Sequence, residues 1–261
     1  MFLFNPFLDS PETASQWYTT VEASLVQAAA LLFSRGSIST FDEAANQFIS
    51  SLDSHIGSVT AKFSVQGPEI ASSLLAMLMD FGTVDFNTMQ LSPSLVVKPM
   101  DETTKFLSSE EVVNRAGSLF RKSAAVVLQR IGDEHCLPFA HVILAFLYCL
   151  SSETDANMFV ETNVPWVTLG SFLNTLQRFT VVKTRLEGPE FPMPLPGLGR
   201  QLLEDFIMRG LAWTKNFYPP GFFECQAVED KQVLELAAPR AERCLWLGIK
   251  LASVGQSSTD V

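Results

Sequence analysis

Apolar residues recur along this chain at intervals of three and four, the spacing that lines one face of an α-helix, and no stretch alternates with period two for long enough to build a sheet. A first helix is expected from Ser10, a cap followed by Pro11 and Glu12, through Leu32 to a stop at Gly36. A second is expected at Thr40, which forms a capping box with Glu43, and carries Phe41, Ala45, Phe48, Leu52 and Ile56 on one stripe closed by Gly57. Gly67 and Pro68 are expected to open a third, with Ile70, Leu74, Met77 and Phe81 on one side. These three suit an up-down array.

Residues 83 to 107 have no clear period and contain Pro93 and Pro99, which predicts a long loop and a subdomain boundary within a single helical domain of 1–261. Ser108 and Glu111 then form a capping box for a helix running through Leu119, Val126 and Ile131 to Gly132. From Pro138 the segment Phe139 to Leu150 is apolar around most of its circumference, as a central helix surrounded by others must be. Pro165 and Trp166 begin another helix, ending near Arg178. Four prolines exclude regular helix from Gly188 to Gly199, whereas Gln201 to Phe217 and Lys231 to Val254 read as helical, the last split at Pro239. The predicted fold class is all-α: stacked helical hairpins forming a short irregular α-solenoid or a bundle.

Composition narrows the picture. With 261 residues, 47% of them hydrophobic and 18% charged, the chain is too apolar for disorder and long enough for a sizeable core. The net charge of −10 excludes a uniformly positive coat, so any grip on nucleic acid must be local. Residues 1–111 hold 4 bases against 13 acids, and residues 112–261 hold 14 against 15. Cys136, Cys149, Cys225 and Cys244 lack CxxC spacing, which suggests reduced thiols and an intracellular protein, in the nucleus or cytoplasm. Met1 to Asp9 has no basic leader, and Leu137 to Leu150 is shorter than the roughly 20 residues a bilayer span needs, so neither secretion nor a membrane partner is expected.

The residues offer three chemistries. His135, Cys136, His141 and Cys149 are zinc-type ligands, but Pro138 separates the pairs and the last two lie two helical turns apart, so no metal is expected. His55 sits near a helix end, where capping explains it, and the acid pairs Asp42/Glu43, Glu110/Glu111 and Glu204/Asp205 fall at helix starts, where the helix dipole explains them. GxSxG, HExxH and both phosphate-binding glycine motifs are absent, so no enzyme and no cofactor are expected. Arg178, Lys183, Arg185, Arg209 and Lys215 are the candidate nucleic-acid contacts, with Arg200 in the same basic region and Phe179, Phe191, Trp213, Phe217 and Tyr218 interleaved as rings that can stack on bases. Glu187, Glu190, Glu204 and Asp205 dilute that region, and a solvated face over buried aromatics is the competing reading.

An ordered series of segments runs through the second half: Leu137 to Leu147; Val164-Pro165-Trp166 with Phe172 to Leu176; Phe191 to Pro196; Glu204-Asp205-Phe206 with Arg209 to Trp213; Phe217 to Phe223; and Glu242 to Gly248. It resembles the DNA/RNA-binding-type helical domain of the ever-shorter-telomere and SMG nonsense-mediated mRNA decay family, in its fungal form, over residues 118 to 253. The resemblance implies stacked helical hairpins that follow a tetratricopeptide-like module binding phosphoserine peptides; that module has no counterpart in these residues. It further implies a non-catalytic scaffold whose partners are proteins of an mRNA-surveillance or telomere complex, together with RNA or DNA. Trp166, Trp213 and Trp246 are then expected as buried anchors between hairpins, and Arg209 as either a ligand contact or an ion-pair partner of Glu204 and Asp205. Family members run the Pro-Leu-Pro directly into the Glu-Asp pair, whereas Gly197 to Leu203 intervene here. The alternatives from other classes are a degenerate or truncated paralogue acting only through protein contacts, and a helical hydrolase or transferase.

Overall fold

The computed structural model describes residues 20–82, 84–85, 90–91, 109–151, 162–178, 183–193, 201–224 and 237–257. The chain is all-α. The strands among the described residues are two residues long, β1 (Val84–Asp85) and β2 (Gln90–Leu91), paired antiparallel. Two compact units divide the chain: Met1–Val59, Ser73–Asp85 and Gln90–Val126 form one, and Thr60–Ser72, Phe86–Met89 and Val127–Val261 the other. The chain passes from one to the other at Val59/Thr60, Ser72/Ser73, Asp85/Phe86, Met89/Gln90 and Val126/Val127, and most of the loop expected at 83–107 lies outside the described residues.

In the first unit α1 (Thr20–Phe33) packs against α2 (Ile38–Val59). The predicted stripe of α2 is the one buried: Phe41, Ala45, Phe48, Leu52 and Ile56 all face inward. Its start differs from expectation, because Phe41 N–H already bonds the Ser37 carbonyl at 3.0 Å, so Thr40 and Glu43 lie inside the helix rather than at a capping box. The stop of α1 also shifts by one residue. Arg35 takes the left-handed conformation (φ 56°), and Gly36 N–H reaches back to the Leu31 carbonyl at 2.8 Å, which is Schellman closure without glycine in the left-handed position. The Arg35 guanidinium pairs with the buried Asp80 at 2.6 Å. Asp80 and Phe81 are themselves left-handed, and Phe81 stands edge-on to Phe33 at 5.2 Å. Helix α4 (Ser109–Leu128) adds Arg115, paired with Asp42 at 2.7 Å. It ends before Ile131, which is exposed in the following turn. The expected starts at Ser10 and Ser108 lie outside the described residues.

Helix α3 (Phe63–Leu78) begins earlier than Gly67-Pro68 and carries that pair inside it. The glycine answers to crowding in the second unit, where a Cβ on residue 67 would lie 3.2 Å from both Phe139 Cβ and the Phe63 ring. In that unit α5 (Leu137–Ser151) is the central helix, buried at every position from Leu137 to Leu147. The stretch Glu134–Ser151 is long and apolar enough to cross a membrane, but 72% of it is buried inside the protein, the condition of a core helix. Against α5 packs α9 (Ala237–Ser257). Pro239 does not split α9; it is the third residue, where the missing N–H has no intrahelical partner to lose. α6 (Trp166–Leu176) and α7 (Lys183–Glu187) pack on α9, and α8 (Leu203–Met208) packs on α5.

The helix expected over Gln201 to Phe217 is instead α8, a turn at Gly210 (φ 87°), and a 3-10 turn Ala212–Thr214. Thr214 stabilises this break by donating its hydroxyl to the Met208 carbonyl at 2.9 Å. Trp213 is buried edge-on to Phe146 at 5.5 Å, and the buried Trp246 donates Nε1–H to the Gly188 carbonyl at 3.2 Å. Trp166 departs from the expected burial: it is 41% exposed, one turn beyond Leu169 at the open end of the stripe Leu169, Phe172, Leu176.

Candidate functional site

Helix α8 turns two acids into the interior together with Met208. Its acids Glu204 and Asp205 are completely buried, whereas Leu203 and Phe206 are 42% and 51% exposed. Such an arrangement survives only if the buried charges are paired and hydrogen-bonded. Glu204 receives a bidentate grip from Arg240, with Nε on Oε1 at 2.9 Å and Nη2 on Oε2 at 3.1 Å. His141 Nδ1 lies 3.3 Å from the same Oε1. Burial alone would raise the Glu204 carboxyl, but the hydrogen bonds and charges of His141 and Arg240 outweigh it and hold the group at about 2.

Asp205 meets Arg243 Nη1 at 3.2 Å and accepts the Leu202 N–H at 2.8 Å, which supplies the helix start that no hydroxyl or amide caps. Tyr218 reaches Asp205 Oδ1 at 3.2 Å, and its phenol is pushed well above the ordinary range by burial first and then by the Asp205 charge. Arg243 also lies over the Phe191 ring at 4.3 Å. Two acids of α8 and two arginines one helical turn apart on α9 thus form a buried ionic lattice. The two acids and two arginines are closed to solvent and hydrogen-bonded, while Nε2 of the adjoining His141 is buried without a hydrogen-bond partner.

The exposed side of this region is different. A cleft of about 660 Å³ opens beside the end of α8, lined among others by Arg209, Lys215, Tyr218, Phe222, Phe223 and Glu224. Arg209 is exposed, with its guanidinium carbon 4.6 Å from the centre of the Phe223 ring. The rings of Phe223 and Phe206 lie 5.7 Å apart. Backbone reversals at Gly210 and Gly221 (φ 87° and 76°) turn the chain at this cleft, both in a region that disfavours side chains bearing Cβ.

The candidate contacts named from sequence therefore separate. Arg178 donates to the Gly132 carbonyl at 2.9 Å, and Arg185 pairs with Glu242 at 2.8 Å while bonding the Met193 carbonyl at 2.8 Å, so both hold the unit together. The side chain of Lys183 lies outside the described residues, as do Arg200 and Phe179. Arg209 and Lys215 are the two that share the cleft. Arg209 is not the partner of Glu204 and Asp205; Arg240 and Arg243 are. Of the rings proposed for stacking, Trp213 and Phe217 are core, Phe191 sits beneath Arg243, and Tyr218 is tied to Asp205. Phe223 is the ring that lies with Arg209 in the cleft, and Phe206 packs on Phe223 from outside its lining.

The remaining polar candidates do not converge. His135 Nδ1 is 3.2 Å from the Ser64 hydroxyl, and Asp133 accepts the His135 backbone N–H at 3.1 Å. His55 is buried within α2. Cys136 and Cys244 are buried free thiols, and burial pushes Cys149 up to about 12. Among the described residues, no group of three or more His, Cys, Asp or Glu side chains is placed to hold a metal ion. No family model matches the chain, and no curated protein and no solved structure matches it either.

Proposed function

We propose that this protein is a non-catalytic helical scaffold, related to telomerase-associated and nonsense-mediated mRNA decay factors, that holds protein partners of such a complex and contacts RNA or DNA. One observation carries the proposal: the Glu204-Asp205 and Glu242-Arg243 segments, which belong to the ordered series resembling that family, meet in the buried lattice joining α8 to α9. Chemistry-bearing residues used in this way build an architecture. The rival hydrolase reading calls for a polar cleft around His135 or His141; His141 is fully buried against Glu204, and the half-buried His135 lies against the Ser64 hydroxyl.

The test is proximity labelling in cells of the source organism with the full chain fused to a labelling enzyme. Enrichment of mRNA-surveillance or telomerase components over a fusion of the enzyme alone is the expected result. Labelling that enriches neither set removes the scaffold reading.

A further inference from the structure

The cleft beside α8 spends some of its polar side chains on the fold and leaves others over. The Thr214 hydroxyl donates to the Met208 carbonyl at 2.9 Å, and the Tyr218 phenol lies 3.2 Å from Asp205 Oδ1. Arg209, Lys215 and Glu224 line the same cleft, and none of the three forms an ion pair among the described residues. In this they differ from Arg178, Arg185, Arg240 and Arg243 of the same unit, each of which donates to a carbonyl or a carboxylate. Arg209 is exposed but ordered, because its guanidinium lies over the Phe223 ring, 4.6 Å from the centre. A guanidinium resting on a ring keeps its N–H edge for an acceptor, and that edge matches a carboxylate in two parallel hydrogen bonds. Much of the remaining lining is apolar, with Leu211, Pro219 and Phe222 beside Phe223. The volume of about 660 Å³ lies within the range of clefts that hold a ligand.

We infer that this cleft binds an acidic peptide segment of a protein partner, with an Asp or Glu carboxylate on Arg209 and Lys215 and a neighbouring apolar side chain against Leu211, Pro219 and Phe223. The inference rests on the scaffold reading and deepens it, giving the protein partners a docking chemistry and a place. Charge complementarity selects the occupant. Two bases against one acid leave the lining a single positive charge, which one carboxylate matches. A phosphate group carries nearly two negative charges and a nucleic-acid strand one at each nucleotide, and both are opposed by Glu224 in the lining and by a chain charge of −10. The rings of the cleft are also engaged already: Arg209 lies over Phe223, and Tyr218 stacks on the buried Phe222 with centroids 4.8 Å apart. A side chain packs beside such rings, whereas a base needs an open face. Ala212 and Gly221 in the lining are exposed, which leaves the cleft open for a chain to enter and leave.

Selection of a random peptide library displayed on phage against the immobilised full chain tests this, followed by fluorescence anisotropy with the enriched peptide, synthesised and labelled. The enriched sequences should share an Asp or Glu close to a Leu, Ile, Met or Phe. Arg209→Gln and Lys215→Gln should each weaken the labelled peptide about three- to tenfold, and added salt should weaken it further. Lys122→Gln, which removes the same charge from an exposed position of the first unit, should leave the affinity unchanged. Arg209 and Lys215 are both exposed, and replacing the peptide's own acid by its amide repeats the test on the unaltered protein. The inference is overturned if no sequence is enriched, if the enriched sequences lack an acid, if the affinity ignores Arg209→Gln or Lys215→Gln, or if a single-stranded RNA or a phosphopeptide lacking Asp and Glu displaces the peptide at equal concentration. Its failure is distinct from failure of the scaffold reading: a chain that labels surveillance or telomerase components yet selects no acidic peptide loses only the cleft assignment.

Discussion

The long helices of the first unit and the short helix α8 of the second are held in place by opposite means. In the first, long helices bury a continuous apolar stripe from Phe41 to Ile56, and the described ion pairs, Arg35–Asp80 and Arg115–Asp42, involve at least one partly exposed partner. In the second, a helix of only six residues, α8, is held by two acids that are wholly buried and paired to arginines on another helix. A long stripe distributes its stabilisation over many side chains. A short helix has too little apolar area for that and depends on a few strong, directional contacts. With the acids turned inward, Leu203 and Phe206 are left on the exposed side of α8.

The largest effect should come from breaking the lattice on one side. Arg240→Met leaves Glu204 buried beside His141 without its bidentate partner and should cost about 3–5 kcal/mol, read by urea unfolding through Trp213 and Trp246 emission. Removing both charges, as in Arg240→Met with Glu204→Leu, should recover most of that loss, because matched apolar groups replace a buried pair at little cost. If the double variant is as unstable as the single, the contrast between the units is wrong. In the first unit Leu52→Ala should cost about 3 kcal/mol through the cavity it opens, followed by helical circular dichroism.

Acid should act on the second unit through Glu204. Its folded value of about 2 lies below the ordinary 4.5, so the unfolded chain binds the proton more readily. The stability contributed by this group is fully present above about 4.5 and is lost as the pH falls from there toward 2. A melting temperature that falls through that window in the wild type, and falls less in Glu204→Gln, is the expected profile. The smallest effect is at Asp80→Asn, which keeps the hydrogen bond to Arg35 and removes one charge from a pair whose arginine is partly exposed. About 1 kcal/mol is expected in the same urea experiment.

Much of the fold was legible because helical periodicity is a local property. The α2 stripe, the all-apolar α5 and the Pro165-Trp166 start of α6 each depend on residues within a few turns, and each lies where the pattern puts it. The boundaries that moved were decided by tertiary contacts. Gly67 reads as a helix opening, and only the closeness of Phe139 explains why it stands inside α3. Gly36 reads as the helix stop, but Arg35 takes the left-handed turn that ends α1 while pairing with an aspartate 45 positions away.

The site was legible only in part for the same reason. Glu204 and Asp205 at a helix start were explained by the dipole, since their partners are 36 and 38 residues further along. A signal was available in the segment Leu202 to Met208, where two adjacent acids interrupt an otherwise apolar run, and in Arg240 and Arg243, spaced three apart on a helix that also carries Cys244 and Leu247. The basic residues 178 to 215 looked alike in sequence. Their surroundings separate them, because Arg178 and Arg185 meet backbone carbonyls that no sequence pattern marks.

Cys244 is fully buried on α9, directly after Arg243, and burial raises its thiol far above the range in which a thiolate forms readily. An alkylating reagent can reach this sulfur only in moments when α9 has lifted from α5. The natural chain therefore carries its own clock for that opening: the rate at which the residue-244 peptide gains mass reports how often the two helices part, with no label introduced.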